Sequence, residues 1–293
     1  MSVAASYREE ALYLGAGGPF AVYCRPDTPQ VAPPLVMLNA GLVPHAGPYR
    51  LHVTLARRLA ARGVASVRLD QAGKGESPRR PGSREALLKD DFARLQDRLA
   101  ALDPQFSGQL QLFGLCSGAD DALLVAEAFD SVTGLVLLDG YAPADIGFRA
   151  RYIAARLASL DWWLTRGRRL FGRSSAEYTA GVEGPGLTLR DWRSATEMTA
   201  LYRALLDRGV RMLALFSGDL AHDYYNGGRA LSRSLGAAAG LTEIYRPDLN
   251  HLLPGAAQRE VLWEQLESWL GLPVRRSTGS ATIGISVERE ATT

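Results

Sequence analysis

Short apolar runs alternate with amphipathic segments along most of the chain. Residues 35–38 and 135–138 are continuous apolar runs, which is typical of strands that are buried on both faces of a parallel sheet. Between them, residues 51–62 place leucines on one helical face and arginines on the other, and Gly63 ends this pattern. The alternation predicts an α/β fold with a mostly parallel central sheet flanked by helices.

The same periodicities predict the remaining elements. Further strands are predicted at residues 10–14, 20–24, 64–69, 109–114, 210–216 and 242–246, and further helices at residues 85–101, 119–128, 228–240 and 257–270. The first two strands flank a glycine-rich segment at residues 15–18 and therefore predict a β-hairpin.

The segment from residue 109 to residue 118 carries the strongest chemical signal. A strand-like run leads into Gly114-Leu115-Cys116-Ser117-Gly118, and a helical pattern follows at once. A side chain held on so sharp a turn needs neighbours without Cβ atoms, because the strand and helix backbones pass close to each other. Cys116 is therefore a candidate nucleophile. The alternative is that Cys116 is a small buried apolar side chain, as most free cysteines are.

This strand, turn and helix resemble the Gly-x-Ser-x-Gly nucleophile elbow of the α/β-hydrolase superfamily, in a branch with cysteine in place of serine. Residues 70–77, Asp-Gln-Ala-Gly-Lys-Gly-Glu-Ser, also match a turn common in that superfamily. The resemblance covers residues 35–270. It implies the α/β-hydrolase fold, and it implies acyl transfer through an acyl-enzyme formed on Cys116.

The resemblance also implies a catalytic triad. Its chain order of nucleophile, acid and base corresponds to Cys116, Asp219 and His251, each placed just after a predicted strand. Asp139 also ends a predicted strand and is the alternative acid. His251 would take the thiol proton, the acid would fix the imidazole tautomer, and the N-terminus of the following helix would lower the pKa of Cys116.

The loop after residues 35–38 is the expected second half of an oxyanion hole. In the superfamily the turn after this strand supplies a backbone N–H, and the usual His-Gly-x sequence aligns with residues 39–41. We therefore expect the oxyanion to be bound by the N–H of Ser117 and by that of Gly41 or Leu42. Asn39 and His45, in the same loop, are candidates for substrate contact, although a solvated loop histidine is the commoner case.

Strand alternation disappears between residues 141 and 208, where helical sequence bearing arginine and tryptophan takes over. Cap domains of the superfamily sit at this insertion point, so we expect a helical cap or lid; the alternative is an extension that only thickens the core. The core then comprises residues 1–140 and 209–272, and residues 273–293 form a flexible tail.

Composition excludes several classes of protein. The formal net charge is +2 with dispersed arginines, so no nucleic-acid partner is expected. The two cysteines form no disulfide framework, and no metal-ligand spacing occurs, so we expect a reducing compartment, no metal and no cofactor. No signal peptide or membrane span is predicted, and the expected location is the cytoplasm.

A thiolate exchanges readily with thioesters and other activated acyl groups. The sequence therefore favours an acyl hydrolase or thioesterase acting on a small acyl substrate, in a biosynthetic pathway. An acyltransferase that passes the acyl group to an amine or alcohol is one alternative, and a non-catalytic ligand-binding homologue is another. Arginines and aromatic residues in the cap suggest a substrate bound to coenzyme A or to an acyl carrier protein; the alternative is a solvated helix face.

Overall fold

The structure, a computed structural model, describes residues 7–143, 150, 154, 193–218, 229–236 and 238–273. Its strands are β1 (Tyr7–Tyr13), β2 (Phe20–Pro26), β3 (Leu35–Met37), β4 (Ser66–Leu69), β5 (Leu110–Leu115), β6 (Val132–Leu138), β7 (Arg211–Ser217) and β8 (Leu241–Arg246). Its helices are α1 (Leu51–Ala60), α2 (Arg84–Leu102), α3 (Ser117–Ala128), α4 (Ala195–Asp207), α5 (Ala230–Leu235) and α6 (Ala256–Trp269).

All of these strands belong to one sheet, in the order β1-β2-β4-β3-β5-β6-β7-β8. The strands from β4 to β8 in this order pair in parallel, and β2 pairs antiparallel with both β1 and β4. The predicted hairpin is β1 and β2, whose turn holds Gly15 and Gly17 at φ 84° and 65°, in the left-handed region that glycine tolerates. The predicted α/β fold with a mostly parallel sheet is confirmed.

Helices cover both faces of the sheet. Leu35 and Met37 of β3 belong to the apolar cluster that includes residues of α1 and α6, whereas Val36 and Leu38 belong to the cluster on the other face, which includes residues of α2, α3, α4 and α5. Because successive side chains of a strand point to opposite faces, burial of both faces explains why this segment is apolar at every position.

Helix α4 lies in the segment that the sequence assigned to the cap, but it packs onto the core. Met198, Leu201, Tyr202 and Leu205 form its buried face, and the Tyr202 hydroxyl donates to the Tyr141 carbonyl oxygen at 3.0 Å. The described core therefore includes residues 195–207. Of the predicted cap, residues 141–143, 150, 154 and 193–208 are described, and the others lie outside the described residues. So do residues 274–293 of the predicted tail.

The carboxyl ends of the parallel strands meet at one edge of the sheet. The turns after β3, β5, β6 and β7 and the loop after β8 carry, in that order, Asn39, Cys116, Asp139, Gly218 and His251. In open α/β sheets this edge is where ligands bind. Within the described ranges, no helix is long and apolar enough to cross a membrane.

Candidate active site

Cys116 occupies a sharp turn between β5 and α3. Its backbone lies at φ 57° and ψ −123°, a strained conformation for a residue other than glycine. The Cys116 N–H donates to the Leu138 carbonyl oxygen at 2.9 Å, which fixes the turn against the end of β6. The side chain is half-buried, so the thiol stands at the sheet edge rather than in the core.

The glycines on either side of Cys116 are required by close backbone approach. A Cβ on Gly114 would overlap the carbonyl group of Gly118, and a Cβ on Gly118 would lie 2.6 Å from the Asn39 carbonyl oxygen. Any larger residue would therefore push the strand away from the helix, or the helix away from the loop after β3. The sequence predicted that glycines are needed here because the strand and helix backbones pass close to each other, and the structure shows this close approach.

His251 links Cys116 to a carboxylate. Its Nδ1 lies 2.6 Å from Oδ2 of Asp139, and its side chain also hydrogen-bonds Cys116. Because Nδ1 is engaged by Asp139, the contact with Cys116 belongs to Nε2. Burial opposes protonation of the imidazole, but the hydrogen bonds to Asp139 and Cys116 outweigh burial and raise the pKa of His251 to about 9.

The loop that carries His251 is fastened to the end of β7. The Gly218 N–H donates to the Leu249 carbonyl oxygen at 3.1 Å, and a Cβ on Gly218 would overlap the backbone of Pro247. This close packing sets the distance at which the imidazole reaches Asp139 and Cys116.

Asp139 is fully buried and held by a residue that sequence reasoning missed. The Ser217 N–H donates to Oδ1 of Asp139 at 2.6 Å, and the Ser217 hydroxyl donates to Oδ2 at 2.8 Å. The Asp139 backbone lies at φ 51°, which turns the carboxylate toward its donors. No sequence signal distinguishes Ser217, since a serine after a strand is common in turns.

The structure pairs His251 with Asp139, the alternative acid of the sequence prediction. Asp219 lies outside the described residues, and the single Nδ1 atom of His251 is already bonded to Asp139. The physical reason is the order of the sheet: β6 lies between β5 and β7, so the end of β6 is directly beside the elbow. The order of the residues along the chain does not show that the end of β6 lies beside the end of β5.

The expected oxyanion loop lies against the elbow, with one donor engaged. The Gly41 N–H donates to Oγ of Ser117 at 2.8 Å. Residues 40–43 form a turn closed by the Val43 N–H and the Ala40 carbonyl oxygen at 3.0 Å, with Gly41 at φ 58°. Of the two N–H groups expected from this loop, that of Gly41 is therefore bonded to protein, and no described residue accepts a hydrogen bond from that of Leu42.

Asn39 and His45 hold this loop in place. The fully buried Asn39 amide donates to Val43 O at 3.0 Å and to Asp70 Oδ1 at 2.8 Å, and its oxygen accepts from Gln71 N at 2.7 Å. Asp70 also binds the His45 N–H and Nδ1, at 2.6 and 2.8 Å. The expectation that Asn39 contacts substrate is corrected: every polar atom of its amide group is used inside the protein.

Cys24, the second cysteine, has none of these features. Its side chain is fully buried between β2 and α1, and burial, with a smaller contribution from Glu9, raises the pKa of its thiol to about 12. The thiolate form of Cys24, which is the reactive one, is therefore disfavoured at neutral pH. In the described part of the chain, no group of three or more His, Cys, Asp and Glu side chains could hold a metal ion.

Comparisons with known proteins identify the architecture. No protein-family model matches the sequence, and no curated protein matches it either. The chain is similar to the structure of a proposed dienelactone hydrolase from Klebsiella pneumoniae subsp. pneumoniae, with 14% identity, a TM-score of 0.56, and coverage of 91% of this chain and 99% of that one.

Two further solved structures show the same likeness. One is an esterase from Pyrococcus furiosus, with 12% identity, a TM-score of 0.51, and coverage of 91% of this chain and 92% of that one. The other is the α/β-hydrolase GrgF from Penicillium sp. sh18, with 14% identity, a TM-score of 0.50, and coverage of 90% and 98%. At such identities the likeness shows the fold, and the chain has the α/β-hydrolase fold.

Proposed function

We propose that the protein is an acyl hydrolase that acts through Cys116, His251 and Asp139. The observation that carries this proposal is the position of His251, which hydrogen-bonds both the cysteine at the elbow and a buried carboxylate. A nucleophile, a base and a group that orients the base are the parts that acyl transfer requires. The three solved structures named above are described as hydrolases or esterases, which supports the same reaction class.

The reaction would proceed in two half-reactions. The Cys116 thiolate forms a bond to the acyl carbon while the carbonyl π electrons move to oxygen. Collapse of this oxyanion reforms the carbonyl and expels the leaving group, which takes a proton from His251 and leaves a thioester on Cys116. Water then attacks the thioester carbon and gives its proton to His251, and the thiolate leaves as the carboxylic acid product is released.

The raised pKa of His251 favours a protonated imidazole beside a thiolate. With a pKa of about 9, His251 stays protonated at neutral pH, and the paired charge stabilises the thiolate form of Cys116. A thiolate exchanges readily with thioesters and activated esters and is poorly matched to unactivated amides. We therefore assign a thioester or activated ester as the substrate class.

The test is hydrolysis of acyl-thioesters and aryl esters by the purified full chain, with products identified by mass spectrometry. Cys116→Ala should abolish turnover, and Cys24→Ala, the matched control, should retain it. Iodoacetamide should modify Cys116 first and inactivate the enzyme in step with that modification. An acyl adduct on the peptide that contains Cys116 would support the intermediate, and unchanged turnover in Cys116→Ala would refute the mechanism.

A further inference from the structure

Ser117 offers two polar groups at the elbow. Its N–H is the first of α3, and the first N–H groups of a helix have no partner within the helix. Its hydroxyl oxygen, in a residue that is only 3% exposed, accepts the Gly41 N–H at 2.8 Å. Ser117 therefore supplies one expected oxyanion donor, its own N–H, and its hydroxyl oxygen binds a second one, the Gly41 N–H.

The hydrogen bond from the Gly41 N–H to the Ser117 hydroxyl oxygen connects the loop after β3 to the elbow. The remaining polar contacts of the loop run the other way, toward the turn after β4: the Asn39 amide binds Asp70, and the Gln71 N–H binds Asn39. Gly118 packs so closely on the Asn39 backbone that the loop has no room to move inward. Among the described residues, Ser117 thus makes the side-chain hydrogen bond that joins Gly41 to the elbow.

The turn geometry decides which N–H can reach a ligand. In the turn from Ala40 to Val43, the closing hydrogen bond uses the Val43 N–H, and Gly41 is bonded to Ser117. Among the described residues, none accepts a hydrogen bond from the Leu42 N–H, and Leu42 is 67% exposed. Leu42 is the remaining donor that the loop can offer.

We infer that Ser117 is a positioning residue for the oxyanion hole. Its hydroxyl holds the Gly41 N–H so that the Leu42 N–H, together with the Ser117 N–H, binds the oxyanion. This inference rests on the proposed acyl transfer through Cys116. The opposite arrangement makes Gly41 the second donor, with the Ser117 hydroxyl competing with the oxyanion for the Gly41 N–H. The two arrangements predict opposite effects when the hydroxyl is removed.

The experiment compares turnover with alkylation in Ser117→Ala. Turnover passes through an oxyanion, whereas alkylation of Cys116 by iodoacetamide is a direct displacement that forms none. We expect kcat to fall about 10- to 100-fold, less than the roughly 10²- to 10³-fold loss when an oxyanion donor is removed outright. We expect KM and the alkylation rate to stay near their wild-type values.

A second pair of variants separates the hydroxyl from the shape of the side chain. Ser117→Thr keeps the hydroxyl and Ser117→Val replaces it by a methyl group at similar volume, so the threonine variant should have the higher kcat. Ser66→Ala is the matched control, because Ser66 is fully buried on β4 and its hydroxyl has no hydrogen-bond partner among the described residues. Its kcat should be unchanged, and thermal unfolding should show that all variants fold.

Three results would overturn the inference. The first is a kcat that does not fall in Ser117→Ala: an increase would show that the hydroxyl competes for the donor, and no change would show that it has no positioning role. Equal losses of turnover and alkylation would show that Ser117 acts on the nucleophile. Equal kcat values for the threonine and valine variants would show that shape alone matters. Failure of the proposed function is a separate result, since turnover would then persist in Cys116→Ala.

Discussion

Replacement of Asp139 by asparagine tests the assignment of the acid most directly. The carboxylate accepts the His251 Nδ1–H at 2.6 Å and two hydrogen bonds from Ser217. Every partner is a donor, and an asparagine amide has only one accepting atom. If the amide oxygen faces Ser217, the NH₂ group faces His251 and forces the Nδ1 atom to accept, which moves the imidazole proton to Nε2, beside Cys116. The base then has the wrong tautomer.

The size of the effect follows from the bond that is lost. A hydrogen bond to a charged group contributes about 1.5–3 kcal/mol, which corresponds to a rate change of roughly 10- to 150-fold. The wrong tautomer in a serine triad costs about 10⁴-fold. We therefore expect Asp139→Asn to lower kcat/KM for thioester hydrolysis by between about 10² and 10⁴. The pKa of His251 should fall from about 9, because the charge that raises it is removed.

The assay combines turnover with the pH dependence of iodoacetamide alkylation, which reports the thiolate that His251 stabilises. Asp219→Asn should retain most of the activity. Asp130→Asn, which removes an exposed carboxylate paired with Arg208, is the control for a simple loss of charge. A larger loss in Asp219→Asn than in Asp139→Asn would refute the reasoning and return the acid to the turn after β7.

Three further outcomes are expected. Wild-type kcat/KM should fall above about pH 9, where the protonated His251 is lost. The contribution of His251 to the free energy of unfolding should be complete below its unfolded pKa of about 6.5 and should be lost as the pH rises through about 9. A free energy of unfolding that rises across this pH range would contradict this prediction. Gly118→Ala should destabilise the protein by about 1–3 kcal/mol in urea titrations, because its Cβ would lie 2.6 Å from the Asn39 oxygen; Gly255→Ala, with a nearest contact of 3.8 Å, should cost less. Asp70→Asn should cost about 1–3 kcal/mol and lower kcat, since it leaves donors of the loop after β3 without an acceptor. Full activity in this variant would contradict that role.

The fold could be predicted because its strands are buried on both faces. β3 was expected at residues 35–38 and observed at Leu35–Met37, since each of its positions contacts one of two cores. β6 begins earlier than expected, at Val132, because Thr133 and Gly134 interrupt the apolar run that marked it. Helix α4 shows the limit of periodicity. The spacing of the apolar residues along α4 predicts an apolar face, but it does not predict whether the core or a cap covers that face.

The candidate site could be predicted only where a local motif or the chain order of a triad marked it. Cys116 follows from flanking glycines that leave no room for side chains, and His251 follows from chain order. The choice between Asp139 and Asp219 depends on which strand ends are neighbours in the sheet, and Ser217 acts through a contact 78 residues away in sequence. Such long-range contacts leave no local pattern. Likewise, nothing in the sequence indicates that the Asn39 amide is turned inward to Asp70.

The two turns that carry Cys116 and Asp139 share one backbone feature. Cys116 and Asp139 each follow a strand at positive φ, 57° and 51°, which costs about 1–3 kcal/mol per residue unless the surroundings hold it in place. The strands β5 and β6 are adjacent, so their ends lie about 4.8 Å apart. An imidazole that enters from the loop after β8 can therefore contact both side chains at once. The spacing of the proposed triad is thus set by the hydrogen-bonded sheet, and the strained turns only aim the thiol and the carboxylate at the ring between them.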